Sequence, residues 1–106
     1  GVVQYTEWKE RARSLRARAQ AIADARMGRA RALATEAGLD GSIAPTHVHN
    51  ALVGLHYGQP WEGVDYQKVR QARWEMDRMW EASRIVDRIL DRAWRTIPWP
   101  SDLRAS

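Results

Sequence analysis

Apolar residues recur every three or four positions along two stretches of the chain, Thr6–Ala37 and Asp65–Thr96. This spacing places their side chains on one face of an α-helix. The second stretch carries an unbroken heptad series with one small polar member: Val69, Ala72, Met76, Met79, Ser83, Val86, Leu90, Ala93 and Ile97. We therefore predict two long helices, at about residues 6–37 and 65–96.

The apolar face of the first predicted helix consists mainly of alanine. Thr6 is a suitable N-cap residue, and the large apolar residues Trp8 and Ile22 lie in the first half. After Ile22 the spacing slips by one residue, and the face continues at Ala23, Met27, Ala30, Ala34 and Ala37. Alanine lets a neighbouring helix approach closely but buries little apolar area. We therefore expect this helix to depend on larger side chains of its partner helix.

Turn residues are concentrated in residues 38–64, between the two long stretches. A loop of that length without secondary structure is rare in a compact domain, so we predict a short helix at about residues 46–56. Gly38 should end the first long helix in a left-handed conformation. Asp65 should cap the second long helix, which cannot continue past Pro98.

These elements predict an all-α fold in which two long antiparallel helices form a hairpin, joined by a connector with the short helix. The chain length fits a single helical domain over residues 1–106, with a proline- and tryptophan-containing tail at residues 97–106. Two long helices and one short helix enclose little interior. We therefore expect the hairpin to complete a bundle with another chain, as a homo-oligomer or within a larger complex.

The composition excludes several kinds of protein. Apolar residues make up 44% of the chain, which is ordinary for a globular protein, and the absence of cysteine excludes disulfides, thiolate metal sites and cysteine nucleophiles. No apolar run approaches the roughly 20 residues that span a bilayer, and the first residues lack a signal-peptide pattern. We expect no membrane contact, no cleavable signal peptide, and a cytoplasmic location or a place in a soluble assembly such as a virion or secretion complex.

The positive charge is carried almost entirely by arginine. The chain has 17 lysine and arginine residues against 13 aspartate and glutamate residues, and only Lys9 and Lys68 are lysines. Residues 6–37 hold eight cations and four anions. Because the planar guanidinium group binds phosphates and carboxylates, one interpretation is contact with a nucleic acid or an acidic protein surface. The alternative interpretation is a set of solvated helix faces.

Six tryptophans and no phenylalanine make the aromatic composition unusual. Tryptophan provides large, rigid contact area and is enriched at the centres of protein interfaces. Trp74 falls on the opposite side of the second long helix from the heptad series, which makes it the expected exposed aromatic. We predict that a protein partner is bound through tryptophans: Trp74, Trp80, Trp94, Trp99 and Trp61.

Two segments together resemble the helix-turn-helix family of DNA-binding units. Leu33–Leu39 provides an alanine- and glycine-bearing first helix, and Thr46–Leu52 provides a Thr-x-Val-x-x-Ala-Leu second helix. The intervening turn is longer than the three or four residues of the motif. The resemblance implies that the second helix reads bases while arginines bind phosphates. The nucleic-acid-binding residues in this alternative are Arg11, Arg13, Arg16, Arg18, Arg29, Arg31, Thr46, His47, His49 and Asn50.

Trp61-Glu62-Gly63 lies in the connector of this 106-residue, cysteine-free chain. This arrangement resembles the W-x-G helical-hairpin family of type VII secretion substrates, whose members form four-helix dimers. The connector is longer and the arginine content higher than in that family. The resemblance implies a secreted, dimeric hairpin with Trp61 at its turn. A tryptophan that packs a turn against a helix explains the same residues.

No motif in the sequence points to catalysis. No serine lies in a nucleophile-elbow setting, and the glycines form no phosphate-binding loop. His47 and His49 would point to different sides of one helix, so we expect no metal site with His56. We also expect no cofactor, no small-molecule substrate and no enzyme activity. The sequence favours a non-enzymatic helical assembly protein that docks through an aromatic-rich helix face, with nucleic-acid binding and type VII secretion as alternatives.

Overall fold

The computed structural model describes residues 2–98, and this part of the chain contains helices and turns without strands. Its elements are α1 (Val2–Glu36), a 3₁₀ helix (Gly41–Ile43), α2 (Ala44–His56), α3 (Tyr66–Asp77) and α4 (Glu81–Thr96). The predicted all-α fold and the predicted connector helix are confirmed. None of these helices is long and apolar enough to cross a membrane.

The chain divides into two compact units, and α1 contributes to both. The hairpin unit comprises Gly1–Ala21 and Trp80–Ser106, of which residues 2–21 and 80–98 are described. The three-helix unit comprises Ile22–Met79 and contains the rest of α1 together with α2 and α3. Each unit has its own cluster of buried apolar residues.

The core of the three-helix unit is built mostly from small side chains. Val48 of α2 and Val69 of α3 are the largest completely buried side chains in the described residues. They pack with Leu39 and with alanines from the three helices and from the turn after α1: Ala30, Ala34, Ala37, Ala44, Ala51 and Ala72. Because alanine has only a methyl group beyond Cα, the helices can lie close together. The predicted burial of the alanines in the second half of α1 is confirmed.

α1 ends at the glycine that the sequence predicted. Gly38 has a φ of 98°, its N–H donates to Thr35 O at 3.0 Å, and the N–H of Leu39 donates to Ala34 O at 2.9 Å. This pair of hydrogen bonds is the Schellman motif, which satisfies the last carbonyl groups of a helix. A Cβ atom at Gly38 would also lie 3.1 Å from Gly63 O. Both the backbone conformation and the available space therefore favour glycine.

Asp65 begins α3, also as predicted. Its Oδ1 accepts hydrogen bonds from the backbone N–H groups of Gln67 at 3.1 Å and Lys68 at 3.4 Å. These are two of the N–H groups that a helix start leaves without a partner. The N–H of Asp65 itself donates to Ala37 O at 3.0 Å. The end of α1 and the start of α3 are thereby fixed to each other.

The described part of the hairpin unit is a pair of helices. Ala12 and Ala19 of α1 pack against Val86 and Leu90 of α4. The Trp8 indole N–H donates to Leu90 O at 3.1 Å. Because the start of α1 meets the second half of α4, the two helices run antiparallel, and the predicted hairpin is confirmed. Within residues 2–21 and 80–98, the two helices bury one side of each other, and no further helix of this unit covers their remaining sides.

α1 begins earlier than the sequence predicted. The predicted N-cap Thr6 lies inside the helix, where its hydroxyl donates to Val2 O at 3.0 Å. No glycine or proline between Val2 and Thr6 stops the helix from extending. Ile22 is also wrongly placed on the predicted apolar face, because it is 46% exposed while Ala23 is completely buried. The apolar face of α1 has therefore already shifted by one residue at Ala23.

The second long stretch forms two helices rather than the single predicted one. Residues 78–80 make a turn with short-range hydrogen bonds, from Arg78 N to Glu75 O at 3.2 Å and from Met79 N to Met76 O at 3.3 Å. This turn and the register shift of α1 both fall at the boundary between the two units. A straight helix keeps one register, whereas the two parts of α1 present apolar faces that differ by one residue. An interruption lets α3 and α4 each follow its own part of α1.

Candidate interaction surfaces

A groove runs along the hairpin unit beside the buried face of α4. It has a volume of about 590 Å³ and is lined by Arg11, Ile85, Arg88, Ile89, Arg92, Ala93 and Thr96. Arg11 comes from α1 and the other residues come from α4. We call this surface the arginine groove, because three of its lining side chains are arginines and none is acidic.

α4 carries two files of apolar side chains, and α1 covers one of them. Val86 and Leu90 are buried, whereas Ile85 and Ile89 in the arginine groove are 51% and 38% exposed. The two isoleucines are one helical turn apart, so they form a continuous apolar strip. Covering the exposed parts of both would contribute about 1.5–3 kcal/mol, the value for burying roughly one whole isoleucine side chain.

The guanidinium groups of the arginine groove have no acidic partner within residues 2–98. Arg88 Nε donates to Arg84 O at 3.5 Å, and neither Arg11 nor Arg92 forms an ion pair with a described carboxylate. Removing a charged group from water is costly unless it gains a hydrogen-bonded partner. A molecule that covers the guanidinium groups together with the isoleucines therefore needs to supply acceptors for these arginines.

The other side of the hairpin unit carries an aromatic cluster. Trp94 packs edge-to-face on Trp8, with 4.9 Å between ring centroids, and on Tyr5 at 6.3 Å. Asp87 and Asp91 line the same side, so its chemistry differs from that of the arginine groove. Trp94, one of the predicted anchors, is half-buried and held by contacts within its own unit.

Trp74 lies beside two arginines in the three-helix unit and is 48% exposed. The guanidinium carbon of Arg78 lies 4.0 Å from the ring centroid and that of Arg26 lies 5.5 Å away, both within cation–π range. Arg26 and Arg29 also pair with the buried carboxylate of Glu75, at 3.2 Å and 3.4 Å. Trp74 is thus oriented by its neighbours while half of its surface faces solvent.

The other predicted tryptophan anchors differ in accessibility. Trp80 is 50% exposed in the hairpin unit, whereas Trp61 is half-buried against the core of the three-helix unit. The backbone N–H of Trp61 donates to the Tyr66 hydroxyl at 2.7 Å, and its ring centroid lies 5.0 Å from that of His47. The Trp-x-Gly segment therefore packs the connector against α2 and α3. Trp99 lies outside the described residues.

The arginines predicted to bind nucleic acid do not share one surface. On α1, Arg11 lines the arginine groove, whereas Arg16 lines the aromatic side of the hairpin unit. Arg29 belongs to the three-helix unit and is paired with Glu75. The remaining three are exposed: Arg13, Arg18 and Arg31. The fold therefore does not present a single basic face along α1.

α2 exposes three of the four residues predicted to read bases, namely Thr46, His49 and Asn50. His47 is half-buried, and its Nδ1 accepts a hydrogen bond from Asp40 N at 2.8 Å. Residues 37–43 separate α1 from α2 and include the 3₁₀ helix, so the turn is longer than in a helix-turn-helix unit. The imidazole of His47 supports this turn.

Asp40 stabilises the same turn from the other side. Its Oδ1 accepts hydrogen bonds from the Ser42 hydroxyl at 2.6 Å and from the Ser42 N–H at 2.9 Å. These hydrogen bonds favour the ionised carboxylate, so they lower the pKa of Asp40 below its ordinary value of 3.8. The turn between α1 and α2 is thus held by polar contacts at its exposed surface.

The arginine groove contains residues that the sequence pattern did not single out. Ile85 and Ile89 are four residues apart, and so are Arg88 and Arg92, which places both pairs on one face of α4. This combination of apolar and basic pairs could have indicated the groove from the sequence. The alternating charges along α4 concealed it, because they also fit a surface paired with itself.

The histidines of α2 have separate surroundings. His47 supports the preceding turn, and the ring of His56 packs edge-on against Tyr57 at 5.0 Å. Among residues 2–98, no group of three or more His, Cys, Asp or Glu side chains is placed to hold a metal ion. The sequence matches no protein-family model, and no curated protein or solved structure is significantly similar to it.

Proposed function

We propose that the protein is a non-enzymatic helical assembly protein, a small subunit or adaptor, that binds a helix of a partner protein in the arginine groove. The observation that carries this proposal is the second apolar file of α4, Ile85 and Ile89, which no described residue covers. A groove between two helices can accept the apolar face of a third helix by ordinary helix packing. Docking there would turn the two-helix hairpin unit into a three-helix bundle.

The tryptophans take a secondary part in this proposal. Trp74 and Trp80 are about half exposed, so each offers aromatic contact area on its own unit. Trp94 and Trp61 are engaged by aromatic contacts inside their units, and their role is to shape those units. The main anchors that we propose are therefore aliphatic rather than aromatic.

Nucleic-acid binding is supported less well than protein docking. Binding to a duplex depends on cations that reach the phosphates together. The α1 arginines lie on both sides of the hairpin unit, and Arg29 is occupied by Glu75. Isoleucines at the centre of a groove suit an apolar helix face better than a phosphate backbone.

A photo-crosslinking residue at position 85 tests the proposed function. Benzoylphenylalanine in place of Ile85 should yield a discrete crosslinked protein in the cells that produce this chain, with the crosslink mapped to a helical segment by mass spectrometry. The matched control is the same replacement at Ile43, which is 50% exposed but belongs to the three-helix unit. The same products at both positions, or no discrete protein product at position 85, would contradict the proposal.

A further inference from the structure

We infer that the arginine groove selects an acidic amphipathic helix, in which apolar residues one turn apart are flanked by aspartate and glutamate. This inference rests on the proposed function and specifies the chemistry of the partner. The charge of the groove, its length and its poor fit to a second copy of the chain support it.

The arginines and isoleucines of the groove repeat at the same interval. Arg88 and Arg92 are one helical turn apart on α4, as are Ile85 and Ile89, and Arg11 adds a third cation from α1. A partner helix with apolar residues and carboxylates each spaced at i and i+4 can therefore meet both sets at once. Arginine suits this task because its planar guanidinium group forms two parallel hydrogen bonds with a carboxylate.

The groove accommodates a short helix. It extends along α4 from Ile85 to Thr96, which is about 16 Å at a rise of 1.5 Å per residue. A partner segment of the same length has about three helical turns, enough for two apolar anchors with acidic residues on either side. An isolated helix of this length is marginal in water, so a test peptide must be presented on a helical scaffold.

A second copy of this chain fits the groove poorly in a two-fold arrangement. In such an interface the same patch of each copy faces its equivalent. Arg88 and Arg92 of one copy would then lie near the same arginines of the other, and Asp91, which lines the adjoining recess with them, is already paired with Arg95 at 3.2 Å. Like charges brought together in this way oppose association. An acidic helix neutralises these arginines instead.

A selection from a library of displayed helices tests the inference without a known partner. The library varies the exposed positions of a three-turn helix on a helical scaffold, and the intact protein is the target. We expect the recovered helices to be enriched, relative to the unselected library, in aspartate and glutamate that flank a pair of leucines or isoleucines. Fluorescence anisotropy then gives the Kd of each recovered helix for the protein and its variants.

One double variant measures the apolar contribution. Ile85→Ser combined with Ile89→Ser should raise the Kd of the recovered helices about 30-fold, because it removes the strip that the partner covers. Ile43→Ser is the matched control, since Ile43 is equally exposed in the other unit, and it should leave the Kd unchanged. Circular dichroism of each variant shows whether its helices are retained.

A second double variant measures the charge contribution. Arg88→Gln combined with Arg92→Gln should raise the Kd about tenfold and weaken its dependence on salt concentration. The matched control is Arg13→Gln combined with Arg31→Gln, which removes the same net charge from exposed positions outside the groove. This control should change the Kd by less than about twofold, because screened charges at a distance contribute little.

The outcomes separate this inference from the proposed function. Helices that depend on the isoleucines but show no acidic enrichment would overturn the inference and leave the proposed function standing. Recovery of helices insensitive to both double variants would overturn both. If no acidic helix is recovered, the inference is wrong; binding of phosphatidylserine-containing vesicles or of a DNA duplex through Arg88 and Arg92 would then show that the arginines bind phosphates.

Discussion

Glu75 provides a test of how the three-helix unit is held together. Its side chain is 10% exposed, and its two oxygens bind Arg26 Nη1 at 3.2 Å and Arg29 Nε at 3.4 Å. Glu75→Gln keeps the shape of the side chain but removes the charge and replaces one acceptor oxygen with an amide nitrogen. The substitution therefore isolates the electrostatic contribution of the ion pairs from the packing of α3 on α1.

We expect Glu75→Gln to lower the free energy of unfolding by about 2 kcal/mol. Most of this comes from the bond to Arg26, which is only 29% exposed, because a hydrogen bond to a charged group contributes about 1.5–3 kcal/mol. Arg29 is 72% exposed, so solvent screening limits its contribution to about 0.5 kcal/mol or less. In a chain of 106 residues the loss corresponds to a Tm lower by about 8 °C.

Urea unfolding followed by circular dichroism measures this difference. The matched control is Asp77→Asn on the same helix, because Asp77 is paired with Arg73 at 2.9 Å but is 55% exposed. That variant should lose less than about 0.5 kcal/mol. A double-mutant cycle of Glu75→Gln with Arg26→Gln should return a coupling energy of about 1–2 kcal/mol. If Glu75→Gln and Asp77→Asn lowered the free energy of unfolding equally, the reasoning that burial determines the strength of an ion pair would be refuted.

Other substitutions in the three-helix unit should have separable effects. Val48→Ala should lower the free energy of unfolding in urea by about 2–3 kcal/mol, because two methyl groups leave a completely buried site; a loss below about 1 kcal/mol would contradict tight packing of α2. Gly38→Ala should cost more than about 1 kcal/mol in the same assay, since its φ is 98° and the added Cβ would approach Gly63 O; an unchanged midpoint would disprove this. Hydrogen bonds from Ser42 lower the pKa of Asp40, so its stabilising effect is complete above pH 3.8 and is lost as the pH falls through the lowered pKa. Asp40→Asn should remove that pH dependence of the urea midpoint. An NMR titration that gives Asp40 a pKa of 3.8 or higher would contradict the lowered pKa on which this prediction rests.

Local sequence features correctly predicted the helix ends that are determined by a single residue. Gly38 ends α1 and Asp65 begins α3 as expected, because a left-handed backbone and an N-cap are requirements of a few neighbouring residues. Thr6 shows the limit of such signals. A capping residue does not start a helix when the residues before it can continue the same helix, and α1 accordingly extends to Val2.

Features that depend on which helix lies next to which were not predictable from spacing. The heptad series assigned Met76 to the apolar face, yet Glu75 is the more buried residue because α1 brings Arg26 and Arg29 to it. The turn at residues 78–80 coincides with the change of register along α1 at the boundary between the units, and its own sequence shows no helix breaker. Ile85 lies outside the heptad series, and no helix among the described residues covers it.

The alanine-rich core restricts how this sequence can diverge in evolution. Ala30, Ala34 and Ala72 are completely buried where helices meet, so a larger side chain at any of them would force the helices apart at a cost of about 1–3 kcal/mol. Glycine would fit but would weaken the helix by about 1 kcal/mol. Most of the exposed residues face no such restriction. Distant relatives should therefore keep small residues at these positions while replacing much of the surface, and the spacing of those small residues should reveal kinship after overall identity has faded.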